Sequence, residues 1–237
     1  MGWILITGAA KGLGATTARV LAQQGYDVVI HYCQSEREAE KTANECRQFG
    51  VQAEIFQGDF SNSEKTCDFI GRYTAKYVNT YALVNNVGNY FGKEDPTISS
   101  EQIEQLFQTN VHAPYAFMKE LYPILEQTKG NVVNIGMAGL ELSRADIYCP
   151  LYTTTKRALY SLTRACAKKW APHGVRANMV SPGYIDTAVD LPITLTDLPL
   201  KRAATENEVA RVIAFLIDPK SAYITGQNIE VAGGVRL

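Results

Sequence analysis

The chain has 237 residues, 46% of them hydrophobic, enough for a substantial buried core and incompatible with a disordered chain. Its 23 basic and 24 acidic residues leave a formal charge of -1, so no extended face for nucleic acid is expected, while a local phosphate site stays compatible with the balance. The amino-terminal apolar run is too short for a membrane helix and lacks the basic lead of a secretory signal, so neither membrane insertion nor export is expected.

Residues 3–7 read as a buried parallel strand that runs directly into the turn TGAAKGLG at 7–14. Gly8, Gly12 and Gly14 permit a sharp turn, backbone approach to a phosphate and close packing of a helix over 12–24, whose first N–H groups favour an anion. A second strand is expected at 26–32, a helix at 35–49, a third strand at 51–56, a helix at 61–78 and a fourth strand at 81–84. This alternation is the pattern of an α/β chain, a Rossmann-type doubly wound parallel sheet with helices on both faces and its ligand crevice at the strands' carboxyl ends.

The second strand's exit, 31–37, carries no carboxylate before Glu36, whereas dinucleotide sites that bind a free adenosine ribose commonly place an acid there. That absence favours NADP(H) over NAD(H), with Lys11 and Arg37 as candidate partners for an added phosphate or as solvated surface residues. Asp59, after the third strand, is a candidate acceptor for an adenine amino group, its alternative being an ordinary turn aspartate. At the fourth strand's end, Asn86 is placed to brace the sheet and Gly88 to admit a cofactor closely.

A long helix is expected over 101–127, interrupted in propensity by Asn110 and bent at Pro114. Facing a site, Asn110 would hold a water near Lys156. The fifth strand spans 130–136, and a loop over 137–150 precedes a helix that continues without glycine or proline until Pro172. Tyr152 and Lys156 fall one turn apart on its face, where an ammonium would lower a phenol from its usual pKa of about 10 toward neutrality. Packing of the tyrosine and solvation of the lysine is the plain alternative.

The sixth strand is expected at 175–179, a capped helix at 205–217 and a last strand at 228–231. Pro192 and Pro199 argue against one continuous helix over 191–201, so residues 188–204 are assigned as a cover over the pocket. Tyr90, Tyr148, Tyr184 and Met137 are candidate pocket walls, with core or interface packing as the alternative. No charged or low-complexity linker divides the chain, so residues 1–237 read as a single domain, which the family resemblance given below makes an NADP(H)-binding oxidoreductase domain. Five widely spaced cysteines without a CxxC pair fit reduced thiols and a cytoplasmic location, and the histidines show no metal-ligand spacing.

With TGAAKGLG, Asp59, NNVG at 85–88, Asn110, Tyr152 with Lys156, PGYIDT at 182–187 and YITGQNIEVAGG at 223–234, the chain closely resembles the classical short-chain dehydrogenase/reductase family over nearly its full length. The resemblance implies seven strands, nicotinamide-dependent carbonyl reduction or alcohol oxidation of a small molecule, and a homodimer or homotetramer. It also implies that Tyr152 is the proton-transfer residue, that Lys156 binds the nicotinamide ribose, and that Asn110 organises a proton path. Leu13, Pro182, Gly183, Ile185 and Thr187 join the cofactor-binding set by the same motifs.

One feature departs from the family. Its usual serine after the fifth strand falls on Met137 or Gly139, depending on alignment, and neither carries a hydroxyl. Ser143 is the first candidate substitute, with a loop or capping role as its alternative. The competing reading of the whole chain is therefore a nucleotide-dependent binding or regulatory protein with weak catalysis.

Overall fold

The computed structural model describes residues 2–92, 98–142, 146–188, 191 and 194–235. The sheet comprises β1 (Trp3–Ile6), β2 (Val28–Tyr32), β3 (Ala53–Gln57), β4 (Thr80–Asn85), β5 (Asn131–Ile135), β6 (Arg176–Pro182) and β7 (Asn228–Val231), all parallel, in the order β3-β2-β1-β4-β5-β6-β7. Strand order reverses direction between β1 and β4, the switch point beyond whose carboxyl ends doubly wound sheets bind their ligands.

Side-chain alternation explains why the strands read as continuous apolar runs. Ile4 and Ile6 of β1 and Val28 and Ile30 of β2 enter one core layer, while Leu5 and Val29 between them enter the other. The first layer is completed by α1 (Gly12–Gln23), α2 (Glu36–Arg47) and α7 (Glu206–Ile217), through residues such as Leu21, Ala39 and Ile213. The second is completed by α3 (Ser63–Lys76), α5 (Ala113–Thr128) and α6 (Pro150–Trp170), through Phe69, Phe117 and Leu159. Both faces of the sheet are thus covered.

The long helix expected over 101–127 is not continuous. It divides into α4 (Ser100–Phe107), a π turn (Gln108–His112) and α5, so the irregularity falls on Asn110 and ends before Pro114, which occupies the first turn of α5. The proline follows directly on the π turn, a break in the regular i→i−4 ladder where a missing N–H is accommodated. The wider π turn rotates the buried Asn110 side chain toward α6.

Within residues 188–204, Leu195–Asp197 forms a single 3-10 turn, and Val189, Asp190, Pro192 and Ile193 lie outside the described residues. The two ends of the segment are tied together. Ile185 bridges Ala204, the Asp186 N–H donates to the Ala204 carbonyl at 2.9 Å, and the Ala204 N–H donates to the Tyr184 carbonyl at 2.9 Å.

Candidate active site

The glycine turn leaves β1 with Gly8 at φ +65° and Gly12 at φ +63°, conformations that favour glycine. Space is equally restrictive at Gly14, where an added β-carbon would lie 2.4 Å from the Gly8 carbonyl oxygen. Asn86 clamps the turn from β4, its Nδ2 donating to the carbonyls of Thr7 at 3.0 Å and Gly8 at 3.1 Å. No side chain caps the start of α1 and no acidic residue lies in its first turn, so its leading N–H groups are presented to the crevice. These features fit a dinucleotide pyrophosphate.

His31, considered in the sequence only as a metal ligand, is part of this turn's support. Its Nδ1 accepts from the Gly8 N–H at 2.9 Å, which assigns the ring proton to Nε2, 3.1 Å from the Gly58 carbonyl oxygen. The ring stacks on Phe60 at 4.2 Å. Burial pushes the imidazole pKa down to about 4, against smaller upward pulls from Gly58 and Asp59, so the neutral form bridges the turn to the β3 exit.

Tyr152 and Lys156 share a face of α6, with Nζ 5.5 Å from the centroid of the Tyr152 ring. Lys156 is buried and donates to the Ile135 carbonyl at 2.8 Å, and a β-carbon on Gly88 would come within 3.2 Å of Nζ. Asn110 Nδ2 donates to the Asn89 carbonyl at 3.0 Å and to Thr155 Oγ1 at 3.1 Å, while its Oδ1 accepts from the Asn89 N–H at 2.7 Å. Asn110 thereby ties the loop after β4 to α6.

The expected lowering of the tyrosine pKa is not what this arrangement produces. Burial, with a smaller contribution from Cys149, holds the Tyr152 phenol well above its usual value. Burial also lowers the Lys156 ammonium to about 8. Desolvation acts against the charged form of each group, and at neutral pH the phenol keeps its proton.

Tyr152 lines a cavity of about 960 Å³ whose walls include Tyr90, Met137, Tyr148 and Tyr184, and also Leu13, Pro182, Gly183 and Ile185 from the candidate cofactor set. The rings of Tyr90 and Tyr152 meet edge to face at 4.9 Å. Thr153 and Asp146 also line this cavity, and sequence reasoning missed both. Thr153 donates to Asp146 Oδ2 at 2.7 Å, and Asp146 Oδ1 accepts the N–H groups of Tyr148 and Cys149. These bonds outweigh the opposing effect of burial and hold the Asp146 carboxyl below its usual range. The side-chain-to-backbone pattern D-x-Y-C before a helix was the available signal.

The residue just before Met137 is tightly packed. A β-carbon on Gly136 would lie 2.4 Å from Ser181 Oγ and 2.6 Å from Met179 Sδ, so that position has no room for a side chain. Met137 carries its sulfur 3.5 Å from the Thr153 hydroxyl. Ser143 lies outside the described residues.

At the adenosine end, Asp59 has the turn geometry of its alternative reading. Its oxygens accept from the Ser61 N–H and hydroxyl and from Lys65 at 2.7 Å, the Lys65 contact being the main reason that its pKa is lowered. Lys11 and Arg37 are exposed, and neither forms an ion pair among the described residues. Thr187, at the end of the 182–187 turn, donates to Glu206 Oε1 at 2.8 Å. The described residues contain no cluster of three metal-ligating side chains and no helix long and apolar enough to cross a membrane.

A doubly wound sheet with a glycine turn after its first strand defines a nucleotide-binding α/β protein, and a tyrosine–lysine helix beside the crevice makes it an oxidoreductase of that architecture. The chain belongs to the classical short-chain dehydrogenase/reductase family. The family model described as enoyl-(acyl carrier protein) reductase matches residues 8–236. Among similar proteins, the uncharacterized oxidoreductase YmfI of Bacillus subtilis is 33% identical, with 97% of each chain covered. The 3-oxoacyl-[acyl-carrier-protein] reductase FabG of Staphylococcus epidermidis is 29% identical, covering 98% of this chain and 97% of its own. A blue fluorescent protein from a metagenomic library, solved in complex with NADPH, superposes with a TM-score of 0.91 at 26% identity, covering 100% of this chain and 98% of its own.

Proposed function

We propose that the chain is an NADP(H)-dependent oxidoreductase that interconverts a small or moderately sized carbonyl compound and its alcohol. The observation that carries this reading is the placement of Tyr152 on the wall of the cavity with the buried Lys156 Nζ 5.5 Å from its ring centroid. When bound, the reduced nicotinamide supplies hydride to a carbonyl carbon. Tyr152 gives its proton to the carbonyl oxygen as negative charge develops there, and takes a proton from the alcohol in the reverse direction. Burial keeps the Tyr152 phenol protonated before the reaction, and the Lys156 ammonium beside it favours the phenolate left once the proton has gone to the carbonyl oxygen. Asn110 holds the loop carrying Gly88 and Asn89 against α6, which fixes the approach to Lys156.

The phosphorylated cofactor is favoured by a β2 exit with no carboxylate before Glu36, by the exposed charges of Lys11 and Arg37, and by the NADPH complex of the metagenomic neighbour. In this reading the 182–187 turn with Thr187 holds the nicotinamide half, Asp59 lies beside the adenine, and residues 188–204 cover the substrate. Tyr90, Met137, Tyr148 and Tyr184 give a partly apolar wall suited to aliphatic or aromatic carbonyl compounds. The chain functions as a homodimer or homotetramer in the cytoplasm, a location consistent with its five free cysteines.

The second reading, a nucleotide-dependent binding protein of weak activity, draws on the hydroxyl-free run Gly136, Met137, Ala138 and Gly139. Titration with NADPH and NADH followed by a panel of varied carbonyl compounds separates the two. Tyr152→Phe should retain the NADPH dissociation constant and lose turnover by about a hundredfold or more. Unchanged turnover would remove Tyr152 from proton transfer, and cofactor binding without turnover on any compound would favour the second reading.

A further inference from the structure

Glu206, at the start of α7, reaches across the molecule to the dinucleotide site. Its Oε2 accepts from Thr16 of α1 at 2.7 Å, and its Oε1 accepts from Thr187 at 2.8 Å. The same Oε1 would lie 3.7 Å from a β-carbon built on Gly12, inside the glycine turn. Among the described residues Glu206 forms no ion pair, in contrast to Glu208 on the same helix, which Arg202 neutralises. A carboxylate without a cationic partner is thus held at the mouth of an anion site.

We propose that Glu206 is an affinity-determining latch on the dinucleotide site: it occupies the Thr187 hydroxyl and repels the cofactor phosphates, so that nucleotide binds more weakly and leaves faster than the glycine turn alone dictates. The proposal rests on the dinucleotide reading given above. A hydroxyl has one proton, and while Thr187 donates it to Glu206 it has none for a phosphate oxygen. Seating a phosphate therefore requires Thr187 to turn away from Glu206. Because Thr187 and Glu206 flank the 188–204 segment, breaking their bond also loosens one of the ties at its base.

An acid in the first turn also complements the α7 dipole, and a purely structural Glu206 would do no more than that. The two roles separate in Glu206→Gln, which keeps the reach of the side chain and one acceptor oxygen, exchanges the other for a donor amide, and removes the charge. NADPH binding to the full chain, followed by fluorescence titration and stopped-flow displacement, should show a dissociation constant about tenfold lower in E206Q, mostly through a slower off-rate. Glu206→Ala should shift affinity in the same direction. The difference from wild type should shrink in roughly 1 M salt, where screening acts over about 3 Å. An unchanged or weaker NADPH affinity in both variants, with only melting temperature altered, would leave Glu206 as a helix-end residue and overturn the latch. If neither wild type nor variants bind NADPH or NADH, the dinucleotide reading falls and the latch falls with it.

Discussion

Met137 lies on the cavity wall beside Thr153, yet the hydroxyl of Thr153 is committed elsewhere. Its single proton is better used on Asp146 Oδ2 at 2.7 Å than on the Met137 sulfur at 3.5 Å, so Thr153 offers a substrate oxygen no donor. A serine introduced at Met137 brings a hydroxyl to the wall without the overlap with Ser181 and Met179 that a side chain on Gly136 would cause. Met137→Ser should therefore raise kcat for carbonyl reduction, by roughly tenfold to a hundredfold if one oxyanion donor is what the site lacks. Steady-state kinetics on a single carbonyl compound decide the point. A rate that does not rise would mean that another group already serves the oxygen. The lack of a hydroxyl was legible from Gly136 to Gly139, because residue identity alone reports it. The crowding at Gly136, one residue earlier, was not legible, since it involves side chains about forty positions away on β6 that only the parallel β5–β6 pairing brings close.

At the scale of elements, strands and helices were legible because each strand alternates its burial between two helix layers and each helix has its own apolar stripe. The π turn at Gln108–His112 was not, because a one-residue widening leaves no clear mark on a 3.6-residue pattern. Nor was the role of His31, a polar residue in an apolar strand whose meaning depends on register. Pairing of Ile6 with Ile30 carries His31 to the Thr7–Gly8 turn, where its neutral ring joins that turn to Gly58. This bridge has a pH signature. The folded-state pKa of about 4 lies below the unfolded value of 6.5, so the unfolded chain binds the extra proton first as pH falls. The stabilisation is fully present above pH 6.5 and is lost as pH drops toward 4, amounting to about 3 kcal/mol over the window. Denaturant melts of the wild type and His31→Gln across that window test it. The variant should lose this part of the slope, and parallel curves would assign the acid sensitivity to other groups.

For the whole molecule, a formal charge of -1 provides no general attraction for a polyphosphate, so in the proposed reading affinity is built locally from the start of α1, Lys11 and Arg37, and opposed locally by Glu206. The glycine turn and the β2 exit were readable because each is contiguous in sequence. The Thr16–Glu206 bond, 190 residues apart, was not, since it depends on α1 packing against α7 across the first core layer. Cofactor choice is where these contributions sum. Nucleotide that binds only the folded chain stabilises it by about 2.7 kcal/mol at a hundred times its dissociation constant. For 237 residues this corresponds to a melting-temperature rise of about 5 °C, from an unfolding entropy of roughly 2.1 cal/mol/K per residue. NADPH should produce that rise at a lower concentration than NADH, because only the phosphorylated cofactor gains from Lys11 and Arg37. Equal concentration dependence would remove those two residues from cofactor choice, and a stronger response to NADH would reverse the assignment, since the β2 exit would then be binding an unphosphorylated ribose without the carboxylate that such sites commonly use.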